Sequence, residues 1–80
     1  MAGVRRLAQP RRAQVSADGD GQPLLVEGCA VAAIRETWLL EDRWWTEQPL
    51  RRRYWEVVTT DGVDRVVFHD LIEGGWWRQR

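Results

Sequence analysis

An Asp-Gly pair between two β-rich runs constrains the fold of this chain more than any other feature. The stretch RRRYWEVVTTDGVDRVVFHDL places Asp61-Gly62 between residues rich in valine, threonine and aromatic side chains. This arrangement is the strongest short-range sequence signal for a β-hairpin. If these two residues alone form the turn, Trp55 lies opposite Phe68. Val57 then lies opposite Val66, and we predict that these apolar pairs face the core.

The predicted register also limits what the single histidine can do. It places Tyr54 opposite His69 on the outer face, and Arg53 opposite Asp70 on the core face. Because adjacent residues in a strand point to opposite faces, His69 and Asp70 cannot form a catalytic dyad. No serine or cysteine lies in an activating motif, and no glycine-rich loop could cradle a phosphate. We therefore expect no catalytic residue and predict that the protein is not an enzyme.

Short β-rich runs separated by turn residues make up most of the remaining chain. RRAQVSA alternates, with Ala13 and Val15 on one face, and the following DGDGQP is rich in turn residues. LLV then precedes a tight turn at Gly28, and a last strand follows the glycines at 74 and 75. About six such strands predict an all-β fold, a small antiparallel meander forming a curled sheet or an SH3-like small barrel.

The stretch from Ala30 to Leu40 is compatible with two structures. Its sequence, AVAAIRETWLL, suits a helix by propensity. A helix here would begin directly after a glycine and without an N-cap residue. The apolar residues fall closer to a period of two, which favours a strand. The predicted apolar face of that strand carries Ala30, Ala32, Ile34, Trp38 and Leu40.

Length and charge limit the number of domains and the kind of partner. Eighty residues make one domain at most. The first twelve residues carry four arginines and no acid. We predict that residues 1–10 form a mobile basic tail and that residues 11–80 form a single small β domain. Over the whole chain 12 arginines balance 12 acids, so the protein lacks the field that steers strong nucleic-acid binders.

Cysteine usage and hydropathy limit cofactors and compartment. Cys29 is the only cysteine, which excludes an intramolecular disulfide and leaves a structural zinc site without ligands. We expect a small buried thiol at this position, and we expect no metal and no cofactor. No apolar run approaches the roughly 20 residues needed to span a bilayer, and no secretory signal is present. The expected location is the cytoplasm, without a membrane partner.

Two tryptophan pairs provide the candidate binding residues. Strand alternation predicts that one member of Trp44–Trp45 and one of Trp76–Trp77 is buried while the other is exposed. The exposed members either pack under the loop 46–50 and the N-terminal tail or form a free surface beside the arginines, suited to stacking bases and binding phosphate. Nearby acids weaken a phosphate site. The candidate binding residues are Trp44, Trp45, Arg51, Arg52 and Trp77.

The order and spacing of the tryptophans, the Arg-Tyr step and the Gly-Trp step resemble a small uncharacterised bacterial family. Its members are short free-standing proteins, and similar segments occur at the C-terminus of ImuB-type proteins, the catalytically degenerate Y-family polymerase homologues of damage-inducible mutagenesis. The family's final Tyr-Asp is missing here, so we expect a short last strand. The resemblance implies a non-catalytic module associated with translesion DNA synthesis. The matching positions are Gly21, Pro23, Gly28, Val31, Trp38, Trp44, Trp45, Tyr54, Val57, Gly62, Phe68, Asp70, Leu71, Gly75 and Trp76.

Two functions therefore follow as expectations. The first is a non-catalytic accessory interaction module in DNA damage tolerance, which binds a protein partner or, weakly, single-stranded DNA. Zero net charge favours the protein partner over nucleic acid. The alternative is a protein- or peptide-binding β module unrelated to DNA, whose aromatic side chains hold extended or proline-rich peptides. The sequence leaves the oligomeric state open.

Overall fold

The computed structural model describes residues 9–42, 45, 47 and 49–80, and this part of the chain contains strands and turns but no helix. Most of the predicted basic tail at residues 1–10 therefore lies outside the described residues. The predicted all-β meander is confirmed. The strands are β1 (Arg11–Arg12), β2 (Val15–Ala17), β3 (Pro23–Val26), β4 (Cys29–Asp42), β5 (Leu50–Thr59), β6 (Asp64–Asp70) and β7 (Trp76–Arg78).

The strands form one antiparallel sheet, in the order β1-β7-β6-β5-β4-β3-β2. β1 and β2 are thus the two edge strands, although only Ala13 and Gln14 separate them in sequence. The N–H of Ala13 donates to the carbonyl of Trp76 (3.1 Å), while the carbonyl of Gln14 accepts from the N–H of Glu27 (2.7 Å). Because consecutive residues bond to opposite edges, the sheet must curl, and it forms a half-barrel. None of the described residues belongs to a helix able to cross a membrane.

The predicted hairpin is present in β5 and β6, but its turn is one residue longer than predicted. The N–H of Thr59 donates to the carbonyl of Val63 (3.0 Å), and the N–H of Gly62 donates to the carbonyl of Thr59 (2.8 Å). The loop therefore contains Thr60, Asp61 and Gly62. Gly62 has a φ of 81°, the left-handed conformation that ends a three-residue hairpin loop.

The extra turn residue moves the register of the hairpin by one, which turns the side chains of β6 to the other face. The predicted pairs Trp55–Phe68, Val57–Val66, Arg53–Asp70 and Tyr54–His69 are therefore wrong. The observed pairs are Trp55–Val67, Val57–Arg65, Arg53–His69, Arg52–Asp70 and Tyr54–Phe68.

The core lies on the face of the sheet that carries Trp55, here called the core face. Val26, Val57 and Val67 are completely buried there, and Trp55 is 9 % exposed, so its predicted burial is confirmed. Partly buried apolar side chains surround these four. They are Val15, Val31, Ile34 and Trp76.

The strand predicted between Ala30 and Leu40 is confirmed as part of β4, but of its predicted apolar face only Ile34 packs on the core. The register with β5 shifts between Val31 and Ala33, and again between Ile34 and Glu36. Each β-bulge adds one residue and so reverses the alternation of faces. Val31 and Ile34 consequently pack on the core, while Ala30 and Ala32 are exposed and Trp38 and Leu40 lie on the outer face.

Candidate binding face

A row of aromatic side chains crosses the outer face of the sheet. Trp38 on β4 lies opposite Tyr54 on β5, and Tyr54 lies opposite Phe68 on β6. Phe68 in turn lies opposite Trp77 on β7. Directly opposite residues share a face, so all four rings project from the side that is turned away from the core. We call these four rings the aromatic row.

Neighbouring rings of the aromatic row are in contact along its whole length. The centroids of Trp38 and Tyr54 are 5.2 Å apart with the planes 4° from parallel. Tyr54 and Phe68 are 4.9 Å apart and tilted by 40°, and Phe68 and Trp77 are 6.4 Å apart and tilted by 14°. These spacings are typical of aromatic pairs that attract each other. Four strands are thereby linked through side chains as well as through backbone hydrogen bonds.

Two arginines cover part of the aromatic row. The guanidinium carbon of Arg52 lies 4.4 Å from the ring centroid of Phe68, and its Nη1 donates to the Tyr54 hydroxyl at 3.2 Å. Arg12 lies 4.8 Å over the ring of Trp77. Within the described part of the chain, the buried Nε of Arg52 has no hydrogen-bond partner. Packing on the Phe68 ring and the hydrogen bond to the Tyr54 hydroxyl therefore position Arg52.

Exposure varies strongly along the aromatic row. Phe68 is 1 % exposed and Tyr54 is 8 % exposed, because their neighbours and Arg52 cover them, whereas Trp38 is 37 % exposed. A groove of about 740 Å³ runs beside Trp38 and Tyr54. Its lining includes Pro10, Arg52, Glu56, Val66 and Arg80. A ligand in this groove meets the Trp38 ring, charges of both signs and the segment that enters β1.

The candidate residues named from the sequence that the structure describes do not all lie on one surface. Arg52 and Trp77 lie on the outer face, beside the aromatic row. Arg51 points to the opposite face, where its Nε is 3.0 Å from Oε2 of Glu41. Trp45 is 66 % exposed beyond the end of β4, and Trp44 lies outside the described residues.

The second tryptophan pair obeys strand alternation. Trp76 lies on the core face and Trp77 on the outer face, as predicted, although both are half-buried rather than one buried and one exposed. The Trp76 ring lies 5.3 Å from that of Trp55 and stacks on His69 at 4.8 Å. The prediction that His69 neighbours Tyr54 is therefore wrong.

Sequence reasoning missed Trp38 and Tyr54 as members of the binding face. The two-residue turn predicted from the sequence pairs Tyr54 with His69, and the predicted alternation places Trp38 on an apolar core face. The Asp-Gly signal itself could have identified the face of Tyr54, since Gly62 also suits the last position of a three-residue loop. That register puts Tyr54 and Phe68 on one face. No comparable signal exists for Trp38, whose face depends on the two bulges of β4.

Two aspartates, Asp61 and Asp70, form hydrogen bonds within turns. The Asp70 carboxylate accepts from the N–H groups of Ile72 and Glu73, both within 3.0 Å. The hydroxyl of Thr59 donates to the Asp61 carboxylate, and this bond lowers the pKa of Asp61 below 3.8, with smaller contributions from Val63 and Arg65. Among the residues that the structure describes, no three His, Cys, Asp or Glu side chains are placed to hold a metal ion.

The resemblance to the ImuB-associated family rests on the quoted sequence positions alone. No family model, no curated protein and no solved structure matches this chain.

Proposed function

We propose that the protein is a non-catalytic interaction module that binds a protein partner on its outer face. The observation that supports the proposal is the aromatic row, with Trp38 37 % exposed beside a groove of about 740 Å³. Burial explains Trp55 on the core face and Tyr54 and Phe68 on the outer face, but it does not explain the exposed ring of Trp38. Tryptophan, tyrosine and arginine are also the side chains most enriched at interface hot spots.

An extended peptide fits this surface best. Aromatic-lined grooves on small β domains hold extended or proline-rich segments, because a rigid ring loses little conformational entropy on binding. The groove has both signs of charge: Arg80 forms ion pairs with Glu56 (3.2 Å) and Asp64 (3.3 Å) near one end, and Arg52 lies close to the row. A peptide with an apolar centre and mixed charges would be complementary to it.

Single-stranded nucleic acid is the second candidate, because Arg12 and Arg52 lie on the same face as the aromatic row. Three facts favour the protein partner instead. The rings of Phe68 and Tyr54 are too buried to stack on a base. Both guanidinium groups already lie over rings, and the formal net charge of the chain is zero.

The proposal includes a cytoplasmic role in DNA damage tolerance, which the resemblance to ImuB-associated segments supports. A peptide-binding module unrelated to DNA is the alternative. The identity of the bound proteins distinguishes these two functions. A role in DNA damage tolerance requires that proteins of translesion DNA synthesis are among the partners, whereas the alternative does not.

A capture experiment tests the proposal. The folded protein is immobilised and incubated with extract of its source organism, with and without nuclease. We expect nuclease-resistant capture of a defined protein, lost in Trp38→Ala. The matched control is Leu24→Ala, which removes another exposed apolar side chain (49 % exposed) from β3, outside the aromatic row, and should retain capture.

Two results would contradict the proposal. Capture that disappears with nuclease would favour nucleic acid, and capture that is equal in Trp38→Ala and wild type would exclude the aromatic row as the binding surface. If the captured protein binds the Trp38 surface but has no connection with DNA synthesis, the peptide-binding alternative is supported.

A further inference from the structure

β4 has one long edge without a neighbouring strand. β5 pairs with it from Val31 to Asp42 on one side. On the other side, β3 pairs only with Cys29 and Ala30. Of the strands that the structure describes, none lies along the remainder of this edge.

The hydrogen bonds of β5 show which β4 groups point to the free edge. The carbonyl of Arg51 accepts from Leu71 (2.9 Å), and the N–H of Thr59 donates to Val63 (3.0 Å). The odd-numbered residues of β5 therefore bond to the β6 side. Because alternate residues in an antiparallel strand bond to opposite neighbours, the even-numbered residues bond to β4.

The same alternation continues into β4. Tyr54 of β5 bonds to its partner Trp38, so the residues on either side of Trp38 direct their N–H and C=O groups away from β5. Thr37, Leu39 and Glu41 thus form a regular row of donors and acceptors at the free edge. The two bulges lie before this stretch, so nothing in the strand interrupts its regular pairing from Glu36 onwards.

Apolar side chains flank this edge on both faces of the sheet. Trp38, Leu39 and Leu40 are 37 %, 37 % and 36 % exposed. They alternate between the faces, so an added strand, which extends both faces at once, would pack beside all three. Edge strands of monomeric proteins are normally protected by charges, proline or bulges, and none of these lies between Thr37 and Leu40.

We infer that a second copy of this chain occupies the edge, with the two β4 strands antiparallel and related by a two-fold axis at Trp38. In this register Thr37 of each copy forms a hydrogen-bonded pair with Leu39 of the other. Arg35, the residue inserted at the second bulge, then lies near Glu41 of the second copy, twice by symmetry. The Glu41 carboxylate is 54 % exposed and already pairs with Arg51 of its own chain, so it would bridge two guanidinium groups.

Repulsion between like charges disfavours the alternative register that is shifted by one residue. A two-fold axis at Leu39 would place Glu36 opposite Asp42 of the other copy at both ends, and like charges directly opposite each other destabilise a sheet. The axis at Trp38 also places the two Trp38 rings side by side on the outer face, so the aromatic rows of the two copies join into one continuous row. This inference does not depend on the identity of the partner proposed above.

Cysteine cross-linking tests both the dimer and its register, in a Cys29→Ser background. At the proposed axis Trp38 faces its own copy in a non-hydrogen-bonded pair, whose Cα atoms lie about 4.5 Å apart, within the roughly 4.4–6.8 Å range of disulfides. We expect Trp38→Cys to oxidise to a covalent dimer much faster than Leu39→Cys. Faster cross-linking of Leu39→Cys would overturn the register.

Sedimentation of the unmodified protein tests the association itself, and we expect a dimer that dissociates on dilution. Leu39→Pro removes an N–H that points to the free edge and leaves the bonds to β5 intact, as proline on an edge strand permits. We expect Leu39→Pro to be a folded monomer by circular dichroism and sedimentation, while Leu39→Ala still dimerises.

Three results would overturn the inference. In the first, the wild-type protein remains a monomer at millimolar concentration. In the second, Leu39→Pro folds and dimerises as well as wild type. In the third, the wild-type protein is a monomer and Leu39→Pro abolishes its capture of a partner protein. The last result would assign the edge to a strand of that partner. If Leu39→Pro does not fold, the cross-linking rates decide.

Discussion

Arg51 and Arg52 are adjacent in sequence but have different roles, because neighbouring side chains in a β-strand point to opposite faces of the sheet. Arg51 forms an exposed ion pair with Glu41, an interaction of the kind that contributes about 0–1 kcal/mol. Arg52 lies over the Phe68 ring and donates to Tyr54. Removing Arg52 would expose the centre of the aromatic row, whereas removing Arg51 would leave the row unchanged. A double substitution of both arginines would therefore mix two unrelated effects.

Trp55 provides the first prediction. It is 9 % exposed and packs with Val57, Val67 and Trp76. We expect Trp55→Ala to lower the free energy of unfolding by about 3–5 kcal/mol, the usual range for a buried aromatic side chain. Urea denaturation measures this, with Leu24→Ala (49 % exposed in wild type) as the control. A loss below about 1 kcal/mol would show that Trp55 is not a core residue.

Asp61 provides the second prediction, which concerns pH. Its pKa is lowered below 3.8, chiefly by the Thr59 hydroxyl. Near pH 3.8 the unfolded state therefore binds more protons than the folded state does. The ionised Asp61 carboxylate stabilises the fold above pH 3.8. This contribution is lost as the pH falls through the lower folded pKa. In Thr59→Val, which keeps the side-chain shape, we expect the pKa of Asp61 to rise, as followed by its carboxyl chemical shift in NMR. An unchanged midpoint would contradict the assigned cause.

At the scale of elements, the sequence predicted which residues form strands better than it predicted how the strands pair. The hairpin, the strand from Ala30 to Leu40 and the turn at Gly28 are all present. Asp-Gly is compatible with a two- or a three-residue loop, and the difference of one residue exchanges the faces of β6. The bulges of β4 have no local sequence signal, because packing against β5 selects them. The loop length explains why Tyr54 and Phe68 were not predicted on one face, and the bulges explain why Trp38 was not predicted beside them.

The third prediction tests the hairpin loop. Gly62 has a φ of 81°. This left-handed conformation costs a residue with a side chain roughly 1–2 kcal/mol, so we expect Gly62→Ala to destabilise the protein by about 1 kcal/mol. Gly19→Ala is the control, because Gly19 has no positive φ and open space around it. Equal melting temperatures for the two variants would contradict the three-residue loop.

At the scale of the whole molecule, the sheet separates two aromatic clusters. One packs the core around Trp55, and the other forms the row on the outer face. The chain has no net charge to attract a polyanion. Binding on the outer face must therefore depend on local contacts.

The fourth prediction follows from this charge balance. We expect titration with single-stranded DNA to show weak binding at most, with few phosphates neutralised. The salt dependence should be shallow, since each phosphate contact contributes a slope of about −0.7. Tryptophan fluorescence at two salt concentrations measures both quantities, and Arg52→Ala with Arg51→Ala as its matched control locates any site. Tight binding with a steep salt slope would contradict the protein-partner proposal.

The segment Arg11–Ala17, which joins the two edges of the half-barrel, also determines when the fold can be completed. During synthesis on the ribosome β1 emerges long before β7, its only partner strand among those described. The β5–β6 hairpin can form while the chain is still growing, but the N-terminal segment must wait until residues 76–78 have left the exit tunnel. Closing this long loop makes the last step slow relative to hairpin formation. Until that step, the core face lacks Trp76, which packs against the buried side chains around Trp55.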